Sequence, residues 1–386
     1  MDTIAAITTA KGTAAISSIQ IAGPASAGIV HKIFKPIGAK QFKLIPGSVL
    51  TGTIVDDNET IDHVVLGCLD AHSFEINCHG NPLIVEKIVR LLADNDATLL
   101  STEAFLLKQL QNDPSKNSIQ IEAVIAQTRA ATMTGTKMIA DQPAKGLGKL
   151  AEDWLSDFDN NSLDDIKAQC TKILTASKPA RLLIDRVKVI IAGAPNSGKS
   201  TLLNALAGKQ KAIVTDIAGT TRDWISTTID TGRLLIEFFD SAGLDATLTA
   251  QSAADAESQN LALDLIAQAD LVLEVIDSTV QGADARNFHT DKPVLLVFNK
   301  SDITEADIDP KIPAETSVSI SAKNSDNIDT LIEKIHDSLG VTDFNPDQPI
   351  CFTARQHSLL QELTKVVDKL AAKTAISQLL NSPISV

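Results

Sequence analysis

The chain of 386 residues carries 48 acidic against 34 basic residues, a net charge of −14, and is 44% hydrophobic and 21% charged. At roughly 150 residues per domain it holds two or three domains, with enough apolar content for sizeable cores and too little charge for a disordered polyelectrolyte. The acidity speaks against a general nucleic-acid coat or a membrane-surface binder, and 3% aromatics with no Tyr speaks against a base-stacking platform.

Four Cys are present and no pair has CxxC spacing, which fits a reduced, cytoplasmic protein with buried thiols. No basic region precedes an apolar run at Met1-Asp2-Thr3-Ile4, so no signal peptide is expected. No apolar run is long enough to span a bilayer, and no membrane partner is expected.

In chain order, short β-rich runs come first: Thr3–Thr8, Ala14–Ile21, Val49–Val55 and His63–Leu69, separated by Gly23-Pro24 and Pro46-Gly47. Helical periods follow at Pro82–Leu92 and Thr102–Leu110. The spacing of Ile121, Val124, Ile125, Ala131 and Met138 predicts one amphipathic helix from about Ile119 to Ala140. Two more helices are expected at Leu147–Phe158 and Ser162–Ser177, with Lys178-Pro179 ending the region.

The character then changes. Val187–Ala192 is apolar but for Lys188, as a buried parallel strand requires. Further β-runs lie at Ile225–Ile229, Arg233–Phe239, Leu271–Ile276, Val294–Phe298 and Thr316–Ile320, most separated by helical segments, which argues a doubly wound α/β domain. Thr353–Leu380 reads as helical again and is expected to pack with helices 119–178. The fold expected is therefore multidomain: an α+β N-terminal domain (1–118), a helical domain (119–186 with 341–386) and an inserted doubly wound α/β domain (187–340). The segments differ in charge. Residues 187–340 hold 12 bases and 23 acids, a net of −11, whereas 121–186 and 341–386 are neutral and 1–120 is −3.

The strongest motif is Gly193-Ala194-Pro195-Asn196-Ser197-Gly198-Lys199-Ser200, a phosphate loop between an apolar strand and the helix Thr201–Ala207. Its glycines turn backbone N–H groups toward a β-phosphate, Lys199 adds a point charge on the β and γ phosphates, and Ser200 offers a hydroxyl to Mg²⁺. The helix N-terminus, with Ser197 and Thr201, completes the cradle. In Gly219-Thr220-Thr221-Arg222-Asp223, Thr221 is the expected Mg²⁺ ligand that responds to the γ-phosphate. In Asp240-Ser241-Ala242-Gly243, Asp240 would hold Mg²⁺ through water and the Gly243 N–H would meet the γ-phosphate. In Asn299-Lys300-Ser301-Asp302, a carboxylate accepts two hydrogen bonds from guanine, donors that adenine lacks, so GTP is expected over ATP. Ser321-Ala322-Lys323 would offer backbone to the guanine O6. Five such motifs in order specify a GTPase, so the inserted α/β domain (187–340) is expected to be a P-loop GTPase domain of Ras-like type.

The segment Ala212-Ile213-Val214-Thr215-Asp216-Ile217-Ala218-Gly219-Thr220-Thr221-Arg222-Asp223 resembles switch I of the MnmE (TrmE) tRNA-modification GTPases. The order of domains, the opening Asp2-Thr3-Ile4-Ala5-Ala6 and Ala354-Arg355-Gln356-His357 resemble that family too, so the likeness spans nearly the whole chain and is most specific over 187–340. It implies a K⁺ ion in place of an arginine finger, held by the Asn196 side chain and the backbone of Thr215, Ile217 and Thr220. A cation beside the β–γ bridge would offset charge developing in the transition state. Asn196 also reads as a turn-stabilising Asn. The resemblance further implies a homodimer through the N-terminal domains, tRNA as substrate, wobble-uridine (U34) modification, and a flavin-dependent tRNA-modifying partner of the MnmG kind.

The chain departs from that family in two places. The glutamate that orients the attacking water has no plain match. Counting from Asp240 gives Ser252, and counting back from Ala269-Asp270 gives Asp255, taken here as catalytic beside Lys199 and Thr221, with Glu257 nearby. Asp255 and Glu257 read equally well as solvated helix residues, and slow intrinsic hydrolysis is expected. The folate site is also altered. Gln20 stands where the family has Arg, an acidic Thr-Gly-Glu-Asp stretch is missing before Phe74, and the basic residue before the family's Ala-Glu-Ala helix falls near Ser115 or Lys116. Asn381–Val386 ends the chain without the family's Cys-x-Gly-Lys. These departures speak against folate-dependent chemistry. They leave a second reading, a switch GTPase of this lineage that regulates another partner such as a ribosomal particle. His72, Cys78 and His79 lack a fourth ligand and are read as a core thiol and turn histidines rather than a metal site. The acidic run Glu152–Asp165 is read as a solvated helix face and loop.

Overall fold

The computed structural model describes the chain apart from residues 1, 11, 39–41, 58, 112, 210, 213–225, 241–265, 281–289, 306–307 and 385–386; of Lys211, Ala212 and Asp240 it describes the backbone alone. The chain divides into two compact units, Met1–Ile121 with Pro383–Val386, and Glu122–Ser382.

The first unit is built on a seven-stranded sheet ordered β3-β4-β5-β6-β2-β1-β7. Its strands are β1 (Ile4–Ile7), β2 (Ile16–Ala22), β3 (Phe34–Pro36), β4 (Val49–Asp56), β5 (Glu59–Cys68), β6 (Ser73–His79) and β7 (Thr98–Leu99). Alternation puts Ile19, Ile21, Leu66, Phe74 and Ile76 on one face. There they meet α1 (Ser26–Ile33) and α2 (Pro82–Asp94) through Ile29, Ile33, Ile88 and Leu92. Asn81 caps α2, accepting from the Leu83 N–H at 2.9 Å, and Pro82 takes the first helical position. On the other face α3 (Thr102–Leu110) seats Phe105 against Ile4, Ala6 and Ala22.

The second unit holds a helical part and a second sheet. The helices are α4 (Ser118–Gln127), α5 (Met133–Lys145), α6 (Leu147–Ser156), α7 (Leu163–Ile184), α10 (Ala354–Lys365) and α11 (Lys369–Asn381); α4 begins within the first unit. Helix α10 packs along α7 and α11, and α11 also packs on α6.

Two helical expectations need correction. The single helix expected over Ile119–Ala140 is two, because Thr132 accepts from the Gly135 N–H at 2.9 Å as the cap of a new helix, and the Ala131 N–H is taken by the Ile184 carbonyl at 2.7 Å. Lys178-Pro179 does not end α7, which runs on to Ile184. The loss of one N–H at Pro179 is outweighed by the burial of Ala180, Leu182, Leu183 and Ile184. The helical stretch expected at Thr353–Leu380 is present as two helices, with Val366-Val367 between them, after which Asp368 caps α11 by accepting from the Ala371 N–H at 2.8 Å.

The second sheet is ordered β14-β13-β12-β8-β11-β10-β9. Its members are β8 (Val187–Gly193), β9 (Lys211–Ala212), β10 (Ser226–Asp230), β11 (Leu235–Asp240), β12 (Leu271–Asp277), β13 (Val294–Asn299) and β14 (Ser317–Ser319). Strands β11, β8, β12, β13 and β14 run parallel, and β9 and β10 are added antiparallel at one edge. Helices α8 (Lys199–Lys209) and α9 (Ile328–Ser338) lie in one core with Val189, Ile191, Leu273 and Val297. The same core takes in Met138, Ile139 and Leu183 from α5 and α7, so the helical part and the parallel sheet share apolar packing. The architecture is multidomain, an α+β part followed by helices that frame a P-loop α/β fold.

Candidate functional site

In an open parallel sheet the carboxyl ends of the strands line one edge, where ligands bind. The register places Gly193 beside Val275, Asp240 beside Ile191, and Asp277 beside Asn299. Four expected motifs therefore reach this edge from β8, β11, β13 and the segment after β14.

Gly193 closes β8 with φ +146, and a Cβ there would lie 2.2 Å from the Val275 carbonyl oxygen. Only glycine fits that approach of loop to strand. Asn196 follows at φ 65 and Gly198 at φ +98. Alternation of this kind turns successive N–H groups to one side, a concavity suited to an anion. The Ser197 N–H bonds the Ala194 carbonyl at 3.2 Å, and Leu202 begins the helical ladder by bonding Gly198 at 2.9 Å. Buried Leu202, Leu203 and Leu206 anchor α8 and so fix its N-terminus at the loop.

The Lys199 ammonium folds over the loop and donates to the Gly193 carbonyl at 2.7 Å and that of Ala194 at 3.1 Å. The Ser197 hydroxyl is buried and has no hydrogen-bond partner among the described residues. Such an orphan costs about 1–3 kcal/mol unless a ligand satisfies it. Ser200 and Thr201 stand exposed in the first turn of α8. An unsatisfied hydroxyl, an anion-shaped backbone and a buried ammonium make a set that fits a polyphosphate.

The loop after β13 and the segment after β14 are joined to this loop by Asn299. Its Nδ2 donates to the Ser197 carbonyl at 2.9 Å, and its Oδ1 accepts from the Ala322 N–H at 3.0 Å. Asn299 is 2% exposed, and its amide is satisfied on both sides. Asp302 accepts from the Ser321 hydroxyl at 2.7 Å, which fixes the carboxylate's orientation. Ser321 and Ala322 are buried and Lys323 is exposed. Lys300 adopts φ 68 and pairs with Asp277 at 2.6 Å. Burial by itself would raise the Asp277 carboxyl, but Lys300 and Thr279 together hold it below the usual carboxylate range.

The structure thus brings together Gly193, Asn196, Ser197, Gly198, Lys199, Ser200, Thr201, Asn299, Lys300, Asp302, Ser321, Ala322 and Lys323, with the Asp240 backbone at the same edge. Thr215, Ile217, Thr220, Thr221, Gly243 and Asp255 lie outside the described residues, as do Ser252 and Glu257. Sequence reading missed Asp277, a lone acid at a strand end whose only signal is its position one strand from Asn299. The His72, Cys78 and His79 stretch forms no metal cluster among the described residues; His79 pairs with Asp62 at 2.7 Å.

Sequence comparison now places the chain. Residues 3–112 match the model of the GTP-binding protein TrmE N-terminus, and residues 188–300 match that of the 50S ribosome-binding GTPase family. The tRNA modification GTPase MnmE of Moorella thermoacetica is 31% identical over 93% of this chain and 87% of its own. The chain belongs to the MnmE family of tRNA modification GTPases. The MnmE proteins of Bacillus anthracis (30% identity, 86% of this chain and 79% of that one) and Nitratidesulfovibrio vulgaris (29%, 96% and 89%) extend the likeness. As a member of that family the chain is a GTPase, and the phosphate loop and the Asn299–Asp302 loop are the parts of it that this MnmE relative positions most fully.

Proposed function

We propose that the GTPase serves tRNA modification at the wobble uridine, hydrolysing GTP with Mg²⁺ and a K⁺ ion. The observation that carries the nucleotide chemistry is the Asn299 carboxamide, which locks the phosphate loop and the base-recognition turn into one cradle. The tRNA assignment is supported by the MnmE relatives, each named a tRNA modification GTPase.

In this reading Lys199 exchanges its two loop carbonyls for the β and γ phosphates, and the Ser197 hydroxyl gains the partner it lacks. Ser200, Thr221 and Asp240 would hold Mg²⁺, which would supply positive charge to offset that of the phosphates. Asn196, with the backbone of Thr215, Ile217 and Thr220, would hold K⁺; Asn196 is an exposed residue of the loop with a left-handed backbone. Asp255 orients the attacking water. Asp302, held by Ser321, accepts from guanine.

The reading extends to an N-terminal dimerisation domain (1–118), a helical domain (119–186 with 341–386) and the GTPase domain (187–340). It includes a homodimer, a flavin-dependent tRNA-modifying partner and a cytoplasmic location. Among the described residues no helix is long and apolar enough to cross a membrane. The residues do not fit a folate as the family would hold it. Gln20 replaces the expected guanidinium, and its amide donates to Glu75 at 2.9 Å, an acid that an anionic folate tail would have to displace.

Mass spectrometry of tRNA nucleosides from a deletion strain tests the biological half. Loss of a wobble-uridine modification is expected, restored by the wild-type gene. Unchanged nucleosides would overturn it.

A further inference from the structure

Asp277 ends β12 and faces Asn299 across the ladder. Its Oδ1 accepts from the Thr279 N–H at 3.0 Å and from the Thr279 hydroxyl at 2.7 Å. Its Oδ2 accepts from the Lys300 ammonium at 2.6 Å. The two Thr279 contacts hold the carboxylate in one orientation, so Lys300 meets a fixed charge. The pair is partly sheltered, with side chains 15% and 31% exposed, where an ion pair is screened less than on an open surface.

Lys300 is also strained. A left-handed φ of 68 on a residue with a Cβ is costly, and such strain persists where surrounding contacts impose it. Those contacts are present. The Ser301 N–H bonds the Ile320 carbonyl at 3.1 Å, the Ile303 N–H bonds the Lys300 carbonyl at 3.0 Å, and the Ser278 N–H bonds the Asn299 carbonyl at 3.1 Å. The turn after β12 and the loop after β13 are thereby one hydrogen-bonded piece. It adjoins Asn299, which holds the phosphate loop, and Asp302, which selects the base.

We infer that Asp277 is a positioning residue for nucleotide binding: it fixes the Lys300 ammonium so that the lysine stem stands as a pre-set wall of the guanine site. This rests on reading 299–302 as the base-recognition loop. A free lysine stem would lose rotamer entropy when the nucleotide orders it; a tethered one has already lost it. The tether therefore acts on binding and leaves the chemical step alone.

The test measures GDP affinity, GDP release and steady-state GTP hydrolysis in the full-length protein for Asp277→Asn, Thr279→Ala, Lys300→Ala and the Asp277→Asn/Lys300→Ala pair. Asp277→Asn is expected to raise the GDP dissociation constant and KM about tenfold, the loss of one charge-assisted hydrogen bond, with kcat within about twofold of wild type. Thr279→Ala, exposed and milder, gives a smaller change of the same sign. The double variant binds no worse than the weaker single one, since both remove the same interaction. Unchanged GDP affinity in Asp277→Asn, additive losses in the pair, or a fall in kcat at constant KM would each overturn the inference. Asp302→Asn is run in parallel. If it leaves the preference for guanine intact, the base-loop reading itself has failed, which is separate from failure of the tether.

Discussion

The Asn299 side-chain amide donates to the Ser197 carbonyl at 2.9 Å and ties the loop after β13 to the middle of the phosphate loop. This bond crosses 102 residues of sequence, and it sets how closely two otherwise separate loops approach. Gly198 lies under it.

A Cβ at Gly198 would sit 2.2 Å from Asn299 Nδ2, on a backbone at φ +98. Gly198→Ala therefore forces both loops apart as well as straining the backbone, about 1–3 kcal/mol for the strain by itself. We expect GDP affinity to fall at least about tenfold while the circular dichroism spectrum keeps its helical content. A fluorescent GDP titration measures the first. Wild-type affinity in this variant would mean that the two loops are not coupled.

Asp302 is oriented by Ser321, so its exchange should alter base choice without disturbing the loop. Asparagine offers an N–H where the carboxylate only accepts, and xanthine offers a carbonyl where guanine has its amino group. Asp302→Asn should lose most GTP hydrolysis and gain xanthosine triphosphate hydrolysis. Competition between the two nucleotides reads the change directly.

Away from the site, Arg355 is a stabilising centre. Its guanidinium meets both Glu122 oxygens, at 2.8 and 2.6 Å, and donates to the carbonyls of Gln378 and Leu379 at the end of α11. Glu122 also accepts from Gln356 at 2.7 Å and Thr353 at 2.8 Å and is 3% exposed. Removing the cation leaves a buried carboxylate short of its partner, which costs about 3–5 kcal/mol. Arg355→Ala should lower the unfolding free energy by about that amount in urea. Arg355→Ala/Glu122→Gln should recover part of it.

The cysteines give a pH test. Burial pushes the Cys170 thiol up to about 12, and burial with the nearby Asp62 charge pushes Cys78 up to about 11, both from 9.0. All four cysteines are buried. At pH 8 iodoacetamide should leave the native protein unmodified and label it in denaturant. A raised folded pKa favours the neutral thiol in the folded state, so the Cys170 contribution is intact below pH 9 and is lost as pH rises toward 12. Cys170→Ala should remove part of the stability loss over that window, read by thermal unfolding.

Much of this fold could be read from the residues. The bounds of α3 are those expected, Thr102–Leu110, and Ser101 caps it, accepting from the Ala104 N–H at 3.2 Å. The parallel strands were legible as apolar runs, and the phosphate loop by its spacing. Misreadings arose where tertiary contacts decide. Nothing local shows that the Ala131 N–H will be claimed by Ile184, or that Pro179 will sit inside α7. Within the site, the motif that singles out Asn299 and Asp302 could be read from residue type, whereas the Asp277–Lys300 pair depends on strand order and had no local signature.

The central claim is that this chain hydrolyses GTP with a K⁺ ion held at Asn196. GTP turnover measured in K⁺ and in Na⁺ at equal ionic strength, for the wild type and Asn196→Ala, tests it most directly. Turnover at least about tenfold faster in K⁺ is expected for the wild type, the scale of one electrostatic contribution to the transition state, and no such difference in Asn196→Ala. Equal wild-type turnover in the two salts, or K⁺ stimulation that survives Asn196→Ala, would contradict it.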